Sequence, residues 1–322
     1  MSAAATAELR WGIAGAGRVA RAFGQDIART PGNRVETVAA RDPARAENLR
    51  RDLGGRRALP GYQALFDDPD TDVIYLATVS SVHAEQAIRA LAAGRNVVVE
   101  KPLGVSAAEA RDVAAAARQS GTFCLEAMWM RMHPLVRQAQ QLARDGTIGD
   151  VLSVRAELST PHPYQPRDRL FDPALGGGAA LDLGLYTAHF AWLFLGAPAG
   201  VTSVLTRAPN GVDDGIAMQW RYPAGQVAEL TANFTGPSAL GGVVSGTRGS
   251  LHLGPRLNRP RCLSVRVGPS EPVTQTADSP GNGYTYEIAE VARCLRLSLT
   301  ESPLAPLEDS LGVLAAMDQA RA

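Results

Sequence analysis

The chain has 322 residues, 45% of them apolar and 20% charged, and its 32 basic and 32 acidic side chains give a net charge of zero. That length exceeds one comfortable hydrophobic core, which predicts two domains in an ordinary globular protein. The charge balance, with no basic stripe, excludes nucleic acid or an anionic membrane surface as the main partner, and no apolar run is long enough to span a membrane.

Residues 10–14 read as a strand, 18–30 as a helix, 35–40 as a strand and 43–53 as a helix. The apolar run DVIYLAT (72–78), a helix over 83–93 ended by Gly94, a strand at 96–99, a helix at 107–119 and a strand at 122–125 continue the alternation. Strands separated by helices predict a parallel sheet covered on both faces. From Asp150 the pattern changes. VLSVRAEL, VTSVLTRA, GIAMQWRY, QVAELTANF, GGVVSGTRGSLHL and CLSVRVG alternate partially with period two and are joined by Gly, Pro and Asn turns. They predict an open, largely antiparallel sheet with one face packed, flanked by helices at 135–144, 178–195, 284–296 and 307–320. The domains are expected at 1–125 and 126–322.

The start, MSAAATAELRW, has neither a basic nor an apolar leader segment, so no secretory signal is expected. Cys124, Cys262 and Cys294 are odd in number and far apart, which fits a reduced, cytoplasmic compartment. The five histidines are scattered, and no metal site is expected.

Gly15-Ala16-Gly17-Arg18-Val19-Ala20 matches G-x-G-x-x-A directly after a strand and opening a helix. Gly15 permits the tight turn, Gly17 lets backbone approach a pyrophosphate, and Ala20 allows close helix packing, so a dinucleotide is expected here. The next strand should carry a ribose-binding acid, but its end reads VAARDPAR, with Ala40 followed by Arg41. A missing carboxylate leaves room for a 2′-phosphate that a guanidinium pairs with, which favours NADP over NAD. A one-residue shift would make Asp42 the ribose acid, and that alternative stays open.

VVVEKPLG (97–104) holds the only lysine; the other 31 cations are arginine. Glu100 and Lys101 fall at the carboxyl end of an apolar strand, the edge where open parallel sheets bind ligands. An ammonium can act in proton transfer, whereas arginine keeps its proton. The plain alternative is a solvated surface lysine.

Together, G-x-G-x-x-A, Glu100-Lys101-Pro102, EAMWMRMHP, GGGAALDLGLY, GYTYEIAEVARCLR and ESPLAPLEDSL resemble the Gfo/Idh/MocA family of oxidoreductases, in particular its branch of dimeric dihydrodiol dehydrogenases and NADP-dependent sugar dehydrogenases. The resemblance implies an α/β chain: an N-terminal Rossmann domain, then an α/β domain whose open, largely antiparallel sheet makes a homodimer or higher homo-oligomer. It also implies that Lys101 lies beside the nicotinamide, that Lys101-Pro102 is cis, and that Arg18, Val19, Thr78, His83 and Glu100 join Gly15, Gly17 and Arg41 in holding the cofactor. In ATVSSVH, Val79 stands where many members have proline.

In GGGAALDLGLYTAHF, Asp182 and Tyr186 are four apart and share a helix face. Tyr186 stands where many relatives have histidine. A nearby ammonium favours phenolate, so Lys101 and Tyr186 make an acid/base pair, with Asp182 orienting substrate or pair. The alternative is a helix-start aspartate and a core tyrosine. The three glycines before them are expected to admit a ligand. His189 reads as packing. Trp129, Arg131 and His133 are candidates for the cleft wall or for packing, and Tyr164, Arg169 and Phe171 of a Pro-rich loop are candidates to cover the site. The expected activity is hydride transfer between nicotinamide and a vicinal diol, aldose or polyol. Two alternatives are a glycosidase that uses tightly held nicotinamide transiently and a non-catalytic NADP(H) sensor.

Overall fold

Strands alternating with helices along the first 127 residues build one sheet, and the strands that follow build another. The structure, a computed structural model, describes residues 8–322, so the first seven residues of the alanine-rich start lie outside the described residues. The first set runs β1 (Leu9–Ala14), α1 (Arg18–Arg29), β2 (Asn33–Ala40), α2 (Pro43–Leu53), β3 (Arg57–Pro60), α3 (Tyr62–Phe66), β4 (Val73–Leu76), α4 (His83–Ala92), β5 (Asn96–Glu100), α5 (Ala107–Ser120) and β6 (Cys124–Ala127). Its strands are all parallel, in the order β3-β2-β1-β4-β5-β6. This is the Rossmann arrangement, in which the order reverses between β1 and β4 and opens a crevice at the carboxyl ends. Every residue of β4 and Val97, Val98 and Val99 of β5 are buried, as a sheet covered on both faces requires. On α1 the buried Ala20, Phe23 and Ile27 recur at helical spacing. β3 had no clear sequence signal: RALP is an edge strand whose proline is tolerated because one side has no ladder partner.

The second set runs α6 (Pro134–Arg144), β7 (Val151–Ser159), a π-helical turn (Ala180–Gly184), α7 (Leu185–Leu195), β8 (Gly200–Arg207), β9 (Asp213–Arg221), β10 (Val227–Asn233), β11 (Gly242–Gly246), β12 (Gly249–Gly254), β13 (Cys262–Val267) and β14 (Val273–Thr276). Helices α8 (Thr285–Arg296) and α9 (Leu307–Arg321) close the chain. The eight strands lie in the order β14-β13-β12-β11-β7-β10-β9-β8. All pairs are antiparallel except β7 with β10, which are parallel because β7 enters between two later hairpin runs. GGVVSGTRGSLHL, read as one strand, is the hairpin β11–β12. Val154, Ala156, Leu158, Met218, Trp220 and Leu230 are buried on the inner face, against which α7 packs. On the other face Arg155 and Glu229 are register partners and pair at 3.1 Å.

The two compact units do not follow a single cut in the sequence. The boundary expected between 125 and 126 puts Pro280–Leu307 in the second domain, whereas the structure places it in the first unit and gives Val105–Ala110 to the second. The cause lies in polar contacts remote in sequence. The buried Asp26 carboxylate of α1 accepts the N–H groups of Asn282 at 2.8 Å and Tyr284 at 3.0 Å. Gly281 has φ of 62°, and a Cβ there would lie 2.1 Å from Asp26 Oδ1. Ile288 and Val291 of α8 are then fully buried.

Candidate active site

β1 runs into Gly15, whose φ is 116°; a Cβ there would lie 2.4 Å from the Ala77 carbonyl oxygen. Beside Gly17 the space where a side chain would project is open, and no side chain caps α1. Amide groups at an uncapped helix start, next to a cradle that any Cβ would fill, fit a pyrophosphate. Arg18 and Val19 form the first turn of that helix. β2 ends at Ala40, and Arg41 beyond it is exposed. Asp42, kept open as a ribose acid, accepts the N–H groups of Ala44 at 2.9 Å and Arg45 at 3.4 Å and so caps α2. The sequence reading missed Arg45, whose guanidinium donates to the Ala16 carbonyl at 3.0 Å and so stands on the glycine turn.

At the carboxyl end of β5 three consecutive residues are held by buried side chains. The Lys101 N–H donates to Glu100 Oε2 at 3.2 Å, His83 Nδ1 donates to the Pro102 carbonyl at 2.8 Å, and the Leu103 N–H donates to Glu126 Oε1 at 2.9 Å. The Tyr75 hydroxyl donates to Glu100 Oε1. The Lys101–Pro102 peptide is cis. His83 and Glu100, expected at the cofactor, thus fix the loop that carries Lys101. Thr78, from the same expectation, donates from its hydroxyl to Gln86 Oε1 at 2.8 Å. Glu126 was missed although CLEA offered a signal, a carboxylate inside an otherwise apolar and fully buried strand. A further acid, Glu287 of α8, is fully buried, and neither of its carboxyl oxygens has a hydrogen-bond partner. Burial, and then the charges of Glu100 and Glu126, push its carboxyl well above the usual range and favour its neutral form.

In the second unit, Gly178 has φ of 126°, and a Cβ there would lie 2.4 Å from Asp213 Oδ1. At Gly177 a Cβ would lie 2.7 Å from the Arg169 and Leu170 carbonyl oxygens. These glycines admit neighbouring protein where a ligand was expected. Asp213 Oδ2 accepts the Ala180 N–H at 2.6 Å and starts the π-helical turn, a role without a sequence signal. Burial raises the Asp213 carboxyl. Asp182 lies within that turn and Tyr186 just beyond it, so their relation is set by a π turn, a feature frequent at functional sites. Arg169 approaches Asp182 Oδ1 at 3.7 Å. Tyr186 is 4% exposed, and its oxygen accepts the Trp129 Nε1–H at 2.6 Å.

Other candidates separate by their surroundings. Arg131 is 4% exposed, and its guanidinium engages Asp309 and lies 3.4 Å from His189 Nδ1. His133 caps α6: Nδ1 accepts the Leu135 N–H at 3.3 Å and Nε2 donates to Ser279 Oγ at 2.8 Å. Burial, and then the Arg259 charge, lower its imidazole to about 4. Phe171 is buried and meets Tyr164 edge-on, with ring centroids 5.2 Å apart. Among the described residues no group of three or more His, Cys, Asp or Glu could hold a metal ion, and no helix is long and apolar enough to cross a membrane.

A parallel sheet with its phosphate cradle at the switch point, and a clamped lysine at the same sheet edge, define the class of nicotinamide-dependent oxidoreductases. Residues 9–127 match the oxidoreductase family with an NAD-binding Rossmann fold, and residues 136–252 match the GFO/IDH/MocA C-terminal domain. The chain belongs to the Gfo/Idh/MocA family and acts on CH–OH groups. It is 35% identical to trans-1,2-dihydrobenzene-1,2-diol dehydrogenase of Mus musculus over 97% of this chain and 96% of that one, and 34% identical to the Homo sapiens enzyme over 94% and 92%. Among solved structures it is similar to KijD10, a 3-ketoreductase from Actinomadura kijaniata in complex with NADP and TDP-benzene, with 27% identity, a TM-score of 0.86 and coverage of 98% and 97%. It shares the fold of levoglucosan dehydrogenase, a complex with NADH and levoglucosan, at 22% identity and a TM-score of 0.88 over 98% and 96% of the chains.

Proposed function

We infer that this chain is an NADP-dependent dehydrogenase or reductase of a vicinal diol, aldose or polyol. The observation that carries the reading is the Trp129 Nε1–H on the Tyr186 oxygen at 2.6 Å. An indole N–H can only donate, so the phenol oxygen accepts it, and a donor aimed at that oxygen favours negative charge there. When bound, the nicotinamide accepts or supplies the hydride. Tyr186 and Lys101 handle the hydroxyl proton, Asp182 with Arg169 orients substrate hydroxyls, and Glu100, His83 and Glu126 hold the Lys101 loop in place. Arg41 and Arg45 favour a 2′-phosphate, since Asp42 is engaged as a helix cap. The mouse and human relatives are diol dehydrogenases and the KijD10 complex holds NADP, which supports the same reading. Three unpaired cysteines accord with a cytoplasmic protein, and the open face of the second sheet is the surface we assign to a homodimer.

A screen of diols, aldoses and glycosides with NADP, following reduced cofactor and released sugar together, tests the reading. The expected result is reduced cofactor with no released sugar, and a loss of about a hundredfold or more in turnover for Tyr186→Phe with cofactor affinity unchanged. Released sugar without net reduction would establish the glycosidase instead, and binding without turnover the sensor.

A further inference from the structure

The loop after β7, the start of β9 and the residues just after β10 line an open hollow of about 330 Å³ in the second unit. Its floor is Phe171 and Phe234, each 2% exposed, and its rim includes Tyr164, 37% exposed, with His162. Successive rings meet edge to face: Tyr164 to Phe171 at 5.2 Å, Phe171 to Phe234 at 5.5 Å and Phe234 to His162 at 5.4 Å. Asp214 adds a carboxylate to the lining; its Oδ1 accepts the Thr206 hydroxyl at 2.6 Å, and lone pairs remain for another donor. The volume is near the lower end for small-molecule sites, enough for one ring.

The lining is linked along the chain to the proposed chemistry. Phe171 is two residues from Arg169, whose guanidinium is 3.7 Å from Asp182. Aromatic faces take the C–H face of a pyranose as readily as an arene, but an acceptor-only carboxylate in the wall calls for a ligand that donates hydroxyls. An unsubstituted arene would desolvate Asp214 without replacing its hydrogen bonds.

We propose that this cavity is a specificity subsite for a second, hydroxylated sugar ring, so that the enzyme prefers an aldose that carries a glycosyl substituent over the free monosaccharide. The inference rests on the aldose reading above. Tyr164 supplies the exposed apolar face, backed by the buried Phe171 beneath it, and Asp214 accepts a hydroxyl of the distal ring. Because the subsite holds a ring that does not react, it acts on substrate binding and leaves the chemical step alone.

The test compares an aldose, the same aldose extended by one pyranose, and its phenyl glycoside, in the wild type, Tyr164→Ala and Asp214→Asn. The disaccharide is expected to show a KM about tenfold below that of the monosaccharide, the scale of one good ring contact. Tyr164→Ala removes that advantage with kcat and the monosaccharide KM unchanged, and Asp214→Asn weakens the disaccharide but spares the phenyl glycoside. Tyr164 is on the rim, so its loss keeps the result interpretable if Asp214→Asn fails to fold. Equal KM values for monosaccharide and disaccharide in the wild type, or a Tyr164→Ala effect common to both, overturn the proposal. A phenyl glycoside that binds as well as the disaccharide assigns the cavity to arenes and overturns it too. Calorimetric titration of the disaccharide into wild type and Tyr164→Ala reads the subsite without turnover. Tighter wild-type binding with no activity would sustain the subsite while refuting the oxidoreductase substrate reading.

Discussion

Trp129→Phe isolates the contact on which the catalytic reading of Tyr186 depends. The substitution keeps an aromatic ring in the edge-on packing, where the Trp129 and Tyr186 centroids are 6.2 Å apart at 85°, and removes the indole N–H together with part of the ring volume, a packing loss that falls on stability and makes kcat the informative readout. At 2.6 Å that N–H is a well-formed donor. If the phenol stays neutral throughout, losing it costs about 0.5–1.5 kcal/mol, which falls mainly on folding stability. If negative charge develops on the oxygen during proton transfer, the bond is worth about 1.5–3 kcal/mol in the transition state, and kcat falls by about 10- to 150-fold. The assay is cofactor-saturated turnover with the wild type, each single variant and the double variant with Tyr186→Phe. Once the hydroxyl is gone, Trp129→Phe should add nothing further. A kcat for Trp129→Phe within about twofold of wild type would refute the reasoning, because a charge-stabilising donor cannot be lost so cheaply.

Lys101→Arg keeps the charge but not a proton that can leave, and turnover should fall by about a hundredfold, roughly 2.7 kcal/mol, while NADP still binds; near-native turnover would leave Lys101 an electrostatic role alone. Arg41→Ala should weaken NADP by about 1.5–3 kcal/mol and barely alter NAD, which equilibrium titration of both cofactors checks. His133 is held near 4, below its unfolded value, so its contribution is full above about pH 6.5 and is lost as pH falls through 4. Denaturant unfolding should show roughly 3 kcal/mol of acid-side loss that His133→Asn, which keeps a capping acceptor, lacks. Glu287 is shifted the other way, so its contribution is full below about pH 4.3 and falls as pH rises. Glu287→Gln should therefore melt progressively higher than wild type as the buffer is made more alkaline, and parallel melting curves would show the carboxyl to be ionised already.

What the sequence shows most clearly is what depends on local pattern. The parallel sheet is legible because VIYL and VVV are continuous apolar runs between amphipathic helices, and the glycine turn because its spacing is a backbone requirement. Residues whose role depends on distant partners are not legible. Asp213 starts the turn that carries Asp182 from a strand some thirty positions later, and Asp26 gathers residues 281–284 from the other end of the chain. Arg131 and His133 follow the same strand as Trp129 and read alike, yet Trp129 donates to Tyr186 whereas Arg131 engages Asp309 and His133 engages Ser279. The π-helical turn escapes an argument from α-helical spacing altogether.

The return of Pro280–Leu307 to the first unit bears on how the protein is made. Ribosomes release the chain from its amino end, so β1 to β6 emerge well before the helix that covers them. At about 5–20 residues per second, the roughly 150 residues between take about 8–30 s to synthesise. During that interval the surfaces later buried by Ile288 and Val291 face solvent, and Asp26 lacks the amides it will accept. A nascent chain paused before residue 280 thus holds an incomplete first unit, and a stop codon before that residue leaves the Asp26 carboxylate without the Asn282 and Tyr284 amides that it accepts in the full chain.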